Sequence, residues 1–245
     1  MPTGCSRVIL ESGRSAREWV LLASKTSRIG KVFGGLGGLL IAATIATGCA
    51  APQFTYVSDS GANAYFKVPF GWHRISDVSL AAQFKTPGSV LGQAAGTWDI
   101  AFDADNAPAA VHLFSPNAAQ PFAFAFVTPL SASASNALSY NGLRDVLLPV
   151  TSAARTQATQ GSFPLTHFKL LRDTVVTHGQ GVHGVWDIYD YTYPGGITDT
   201  FDQVALTNSN STRLYVLMVH CVATCYTQNH DQLDTIMSSF TVRSP

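Results

Sequence analysis

The sequence predicts an α+β fold, an antiparallel β-sheet meander flanked by helices. Two observations carry this. Three runs rich in aromatic and β-branched residues, 182–192, 198–206 and 213–221, are separated only by the polar turns 194–196 and 208–211. Strands of about ten residues joined by such short turns pair antiparallel. The period then changes: Leu233, Ile236, Met237 and Phe240 fall at i, i+3, i+4 and i+7, one face of a helix. Apolar residues make up 46% of the chain and charged residues 12%, enough for a core and too little charge for a disordered chain.

Taken in order, residues 64–68 read as a strand, Pro69-Phe70-Gly71 as a turn and residues 72–75 as a second short strand. Gly71 is expected to take a positive φ there, with Trp72 covering the core edge. Residues 98–102 alternate as a strand, 103–108 turn, and 110–114 read as the next strand. Phe122, Phe124 and Phe126 alternate with alanines, so period two puts three rings on one face. That face either packs under a helix or lines a groove for a lipid or other apolar small molecule. Residues 131–137 read as a Ser/Ala loop, 140–148 as a helix ended by Pro149, 151–161 as polar connection, and 168–177 as a strand. Residues 214–219 are apolar on both faces, which predicts a central strand covered on both sides. Asp231 and Asp234 are placed toward the start of the last helix, where a carboxylate offsets the dipole, and 241–243 as a short closing strand.

The amino-terminal part has a different character. Arg28 and Lys31 precede a 16-residue apolar run, 32–47, weakened by four glycines and ending in Ile45-Ala46-Thr47-Gly48-Cys49. A membrane span needs about 20 apolar residues and a signal core about 7–15. The pattern resembles a bacterial lipoprotein signal in which Cys49 receives lipid, although Ala46 stands where such signals more often carry Leu. An ordinary cleaved signal and an uncleaved anchor are the alternatives. The expected organisation is 1–48 extension and signal, 49–60 tether, and 61–245 one globular domain. Its expected address is the cell membrane, lipid-anchored on the extracytoplasmic face.

Removing residues 1–48 unmasks a charge asymmetry. The chain has 15 basic and 15 acidic residues, but six and two of these lie before Cys49, leaving a domain of net −4 whose acids are all Asp. Such a domain lacks the basic field that phosphate backbones require, so nucleic acid is not an expected partner. Of four cysteines, Cys5 lies in the extension and Cys49 is the lipid candidate, which leaves Cys221 and Cys225 as a pair. In an oxidising compartment the C-x3-C pair is expected to form a disulfide worth roughly 2 kcal/mol by chain entropy. A redox pair usually has two intervening residues, and zinc would need two further ligands.

Two segments carry a family resemblance. Pro69-Phe70-Gly71-Trp72 after an apolar strand resembles the first hairpin of PsbP-like and Mog1-like domains. Residues 233–242, ending Ser239-Phe240-Thr241-Val242, resemble their closing helix and strand. With a lipid anchor, the whole is similar to LpqN-type lipoproteins of actinobacteria over about residues 61–243. The resemblance implies a PsbP/Mog1-like α/β/α sandwich and binding or accessory work without shared catalytic residues. Fold alone does not assign function.

Motifs for chemistry are sparse. Gly179-Gln180-Gly181-Val182-His183-Gly184 matches a dinucleotide fingerprint but runs into a strand-like segment, whereas pyrophosphate binding needs a helix start there. The seven histidines, His73, His112, His167, His178, His183, His220 and His230, include no H-x-x-x-H. His220 with Asp231 or Asp234 and a serine could form a hydrolytic triad, but no G-x-S-x-G elbow exists. Asn210-Ser211-Thr212 matches a glycosylation sequon within a turn. The expectation is a non-enzymatic module that needs no cofactor or metal. Its expected partners are a cell-envelope protein or an apolar small molecule, with a hydrolase as a further alternative.

Overall fold

The computed structural model describes residues 9–11, 52–83, 95–116 and 119–243. Cys49 and the apolar run before it lie outside the described residues. Two sheets form the frame. The larger has seven strands in the order β4-β5-β6-β10-β9-β8-β7, all neighbours antiparallel. These are β4 (His73–Arg74), β5 (Trp98–Asp103), β6 (Phe122–Pro129), β7 (Thr166–Thr177), β8 (His183–Thr192), β9 (Thr198–Thr207) and β10 (Arg213–Val222). The smaller sheet runs β1-β2-β3-β11, from Ile9–Glu11, Phe54–Asp59, Ala64–Pro69 and Thr241–Val242.

The meander β8–β9–β10 is as the sequence predicts, and β10 lies at the centre of the large sheet. Its two faces supply different cores, because period two divides the side chains. Tyr215, Leu217, Val219 and Cys221 pack toward β3 and the helix α5 (Ala223–Ser238). Leu214, Val216 and Met218 pack with Phe122, Phe124 and Phe126 on the other side. That second face is covered by Leu80 of α1 (Asp77–Gln83), Ala110 and Leu113 of a 3₁₀ turn (Ala110–Phe114), Leu143 of α3 (Tyr140–Arg144) and the loop residues Leu148, Val150 and Leu165, while α2 (Ala132–Ala137) and α4 (Ser152–Thr159) bury no residue of their own. The result is three layers: the small sheet with α5, the large sheet, and a layer of short helices.

Several elements differ from expectation. Residues 54–59, read as tether, form β2, because Val57 reaches the core and the strand pairs along its length with β3. β1 pairs parallel with β2 at Ile9–Glu11, where no structure was expected. The turn after β3 closes no hairpin: β4 joins β5 in the other sheet, so residues 70–72 carry the chain between layers. Gly71 is not among the positive-φ residues. Residues 110–114 form a 3₁₀ turn instead of a strand, burying Ala110 and Leu113. The Ser/Ala segment is helical because Ser131 caps it, its side chain accepting from the Ala134 N–H. The segment read as polar connection is α4, capped by Thr151, which accepts from the Ala154 N–H. The helix predicted over 140–148 is shorter, ending at Arg144.

The closing helix starts ten residues before Leu233, because Tyr226 and Leu233 extend the buried stripe seven apart. Asp231 and Asp234 therefore lie mid-helix, away from the first turn. Cys221 and Cys225 form a disulfide with Cα atoms 5.9 Å apart. Since β10 ends at Val222 and α5 begins at Ala223, the bond staples strand to helix with no turn between them.

Candidate binding surface

Strand β7 is the outer strand of the large sheet, and it is long: 12 residues, with β8 on one side. Its pairing with β8 shifts register between Thr166 and Lys169 and again between Leu170 and Arg172. Such bulges turn the strand locally. Two consecutive leucines are consequently both open to solvent, Leu170 and Leu171 at 45% each, with Val175 at 51%. Lys169 and Arg172 flank the leucine pair, and Arg172 lies 4.1 Å from the centre of the Trp186 ring. Charged residues along an edge guard against indiscriminate pairing while leaving the main chain able to accept a matched strand.

The edge is held from behind. Asp173 on β7 faces Asp187 on β8 in the pairing register. Arg144 of α3 clamps Asp173, its Nε donating to both carboxylate oxygens at 3.1 Å and its Nη2 donating at 2.9 Å. That bidentate bond holds the Asp173 carboxyl below its usual range. Asp187 is fully buried, and its carboxyl is pushed up to about 7, by burial first and then by Asp173, against the opposing pull of Arg144. Gln203 completes the layer, its Nε2 donating to the carbonyls of Leu143 and Arg144 at 3.2 Å.

The sign of the pH effect follows. A carboxyl raised above its unfolded value of 3.8 favours the protonated form in the fold, so its contribution is full below 3.8 and is lost progressively as pH rises to about 7. Asp187→Asn keeps the shape without the charge. It is expected to raise the melting temperature at pH 8 by on the order of 3 °C and to change it little at pH 3.5. Thermal melts at the two pH values check this; an equal shift at both removes the ionisation account.

Where β7 begins, a groove of about 430 Å³ opens against α4. Its walls are Phe163, Phe168 and Tyr191, with Ser152, Thr156 and Arg155 at the rim. The Arg155 guanidinium lies 4.0 Å from the centre of the Phe168 ring and donates to the Val150 carbonyl. Asp145 fixes α4 by accepting from the Val150 and Thr151 N–H groups at 2.7 Å and from the Thr151 hydroxyl at 2.6 Å.

The residues singled out from sequence fall elsewhere. Phe122, Phe124 and Phe126 do share one face, but all three are buried in the filled second core, and none lines the groove. His220 is buried between Phe201 and Phe122, with ring centres 5.2 and 5.9 Å away, and its Nδ1 lies 3.5 Å from Asp199 Oδ2. α5, which carries Asp231 and Asp234, packs on the opposite face of the sheet, so the imagined triad does not assemble. A second histidine pair, His112 Nδ1 to Asp103 Oδ2 at 2.7 Å, ties the 3₁₀ turn to β5. Asp202 is buried on the α5 side and pushed up to about 6 by burial, while accepting from Trp186 Nε1 at 2.6 Å and the Tyr226 hydroxyl at 2.7 Å. Among the described residues, no three His, Cys, Asp or Glu side chains are grouped to hold a metal. No helix among them is long and apolar enough to cross a membrane. The glycine-rich motif leads into β8 after a single 3₁₀ turn, Gly179–Gly181, with no helix following.

No protein-family model matches the sequence, and no curated protein does. Among solved structures the chain is similar to cyanobacterial PsbP from Synechocystis sp. PCC 6803, with 15% identity, a TM-score of 0.46, and coverage of 80% of this chain and 96% of that one. It is similar to the Saccharomyces cerevisiae Ran-binding protein Mog1p, with 9% identity, a TM-score of 0.39, and coverage of 78% and 96%. A Pseudomonas aeruginosa protein of unknown function gives 10% identity, a TM-score of 0.38, and coverage of 79% and 100%. The α+β, antiparallel architecture rests on the chain's own strand order and layers, not on these likenesses.

Proposed function

We propose that this chain is a non-catalytic binding or accessory module of the bacterial cell envelope, anchored outside the membrane through lipid on Cys49. In this reading it docks a protein partner along β7. The supporting observation is the edge itself: a 12-residue outer strand exposing Leu170, Leu171 and Val175, braced from behind by Arg144 and Asp173. The partner suited to it is an extended segment that adds as a strand, its main chain bonding to β7 and acidic side chains meeting Lys169 and Arg172. A second reading, a carrier of an apolar small molecule, draws support from the aromatic groove beside α4, not from the buried phenylalanine face.

The substitutions Leu171→Lys and Val175→Lys are both on solvent-exposed side chains, so they are expected to leave the melting temperature within about 1–2 °C. Together they should abolish co-purification of the partner with the tagged full-length chain. Retained co-purification with an unchanged melt contradicts docking on β7.

A further inference from the structure

The small sheet has an outer face, and period two decides what stands on it. Phe54, Tyr56, Tyr65 and Lys67 project outward, while Val57, Phe66 and Val68 on the alternate positions are buried. The Lys67 ammonium sits 4.4 Å from the Phe54 ring centre, and the Arg243 guanidinium lies 4.8 Å from that of Tyr65. Lys67, Arg243 and both tyrosines border a hollow of about 340 Å³. Among the described residues no carboxylate lines that hollow, although the domain around it is net acidic. At one end of this face Phe70 is exposed at 59%, and its N–H donates to the Gln53 carbonyl at 3.0 Å.

Gln53 is where the chain coming from Cys49 joins the sheet. Only three residues lie between the two, a reach of at most about 14 Å from Cα to Cα. The tether is therefore much shorter than the expected 49–60, since β2 begins at Phe54. A domain so closely held must present the Gln53–Phe70 end to whatever holds Cys49. Aromatic rings with cations above them suit the interface between acyl chains and anionic headgroups.

We infer that this outer face rests on the surface of an anionic phospholipid bilayer. Phe70 dips into the interfacial layer, and Lys67 and Arg243 meet lipid phosphates. The inference depends on lipid at Cys49, as proposed above; processing there removes β1 and leaves β2 as the edge of the small sheet. It adds an orientation: the small sheet faces the membrane, and β7, at the opposite edge of the seven-stranded sheet from β4, is turned toward the periphery.

The test uses full-length chain produced in bacteria that acylate lipoproteins, with the mass of the intact product measured first. The protein is placed in vesicles of phosphatidylcholine and phosphatidylglycerol carrying bromine high on the acyl chains. Phe70→Trp should lose fluorescence to the brominated lipid beyond the wild-type background, and Val175→Trp should not. Adding Lys67→Ser or Arg243→Ser to Phe70→Trp should lower the equilibrium constant for the surface-bound orientation about fivefold per cation. Acylated protein in which the two tryptophan variants quench alike overturns the orientation alone. A product without acyl mass on Cys49 overturns the anchor and the orientation with it.

Discussion

Phe124→Ala is expected to destabilise the domain by about 3–5 kcal/mol, lowering the melting temperature by roughly 10 °C. The ring is 1% exposed and stacks on Phe126 with centres 5.7 Å apart. Around it lie Met218, Val216 and Ala101 from neighbouring strands and Leu80 and Leu113 from the covering layer. Removing a ring from such a packed site forfeits both its transfer energy and its contacts, because close-packed surroundings relax only in part. Most domains have only 5–15 kcal/mol in total, so the loss is a large share. The same substitution separates two accounts of this face. If the three rings lined an open groove for an apolar ligand, truncation would cost little stability and would abolish ligand uptake. Equilibrium denaturation of the variant decides between them, and a change below about 1 kcal/mol contradicts the packed-core account.

Gly184→Ala is expected to cost about 3 kcal/mol, the upper range for overpacking, although it adds only one methyl group. A Cβ at this position would sit 2.0 Å from the Ala205 carbonyl oxygen and 2.8 Å from the Leu206 Cα. Both are backbone atoms of the paired strand β9, so no side chain can move aside. The strands must separate or lose register, and register carries every neighbouring residue's face assignment. Gly181 is constrained differently, with φ +76 and a Cβ that would lie 2.8 Å from that of Ser209. The glycine spacing that imitates a nucleotide fingerprint therefore has a steric origin. Gly181 makes the turn, and Gly184 admits the neighbouring strand's backbone. Chemical denaturation of Gly184→Ala measures the cost; wild-type stability would show that β8 and β9 are not so close.

How much of this was legible depended on whether neighbours in sequence or neighbours in space decide the outcome. The meander β8–β9–β10 was, because long β-branched runs between Pro/Gly and Asn/Ser turns have few alternatives. The central place of β10 was also readable, from residues 214–219 being apolar on both faces. The Cys221–Cys225 bond followed from counting. The short helices were not readable, because Ser131 and Thr151 act as caps only once the helix forms, and small polar residues read equally well as loop. β2 was missed because Gln53-Phe54-Thr55-Tyr56 looks like linker until β3 lies beside it. The buried carboxylates were invisible for the same reason. Asp187 is buried on a strand paired on both sides, opposite Asp173 of β7 and Gln203 of β9, neither of which is near it in sequence. The edge strand had a signal that could have been followed: Lys169 and Arg172 interrupting an apolar strand mark an edge.

The claim that β7 is the docking edge is tested most directly by photo-crosslinking in the native cells. A crosslinking amino acid is placed at Leu171 in the full-length chain and, in a second strain, at Val111, which is exposed at 56% on the 3₁₀ turn away from β7. The account predicts one discrete protein adduct from Leu171, lost when Val175→Lys is added, and none of that mass from Val111. An adduct of the same mass from Val111, or none from Leu171 in cells that contain the folded protein, contradicts it.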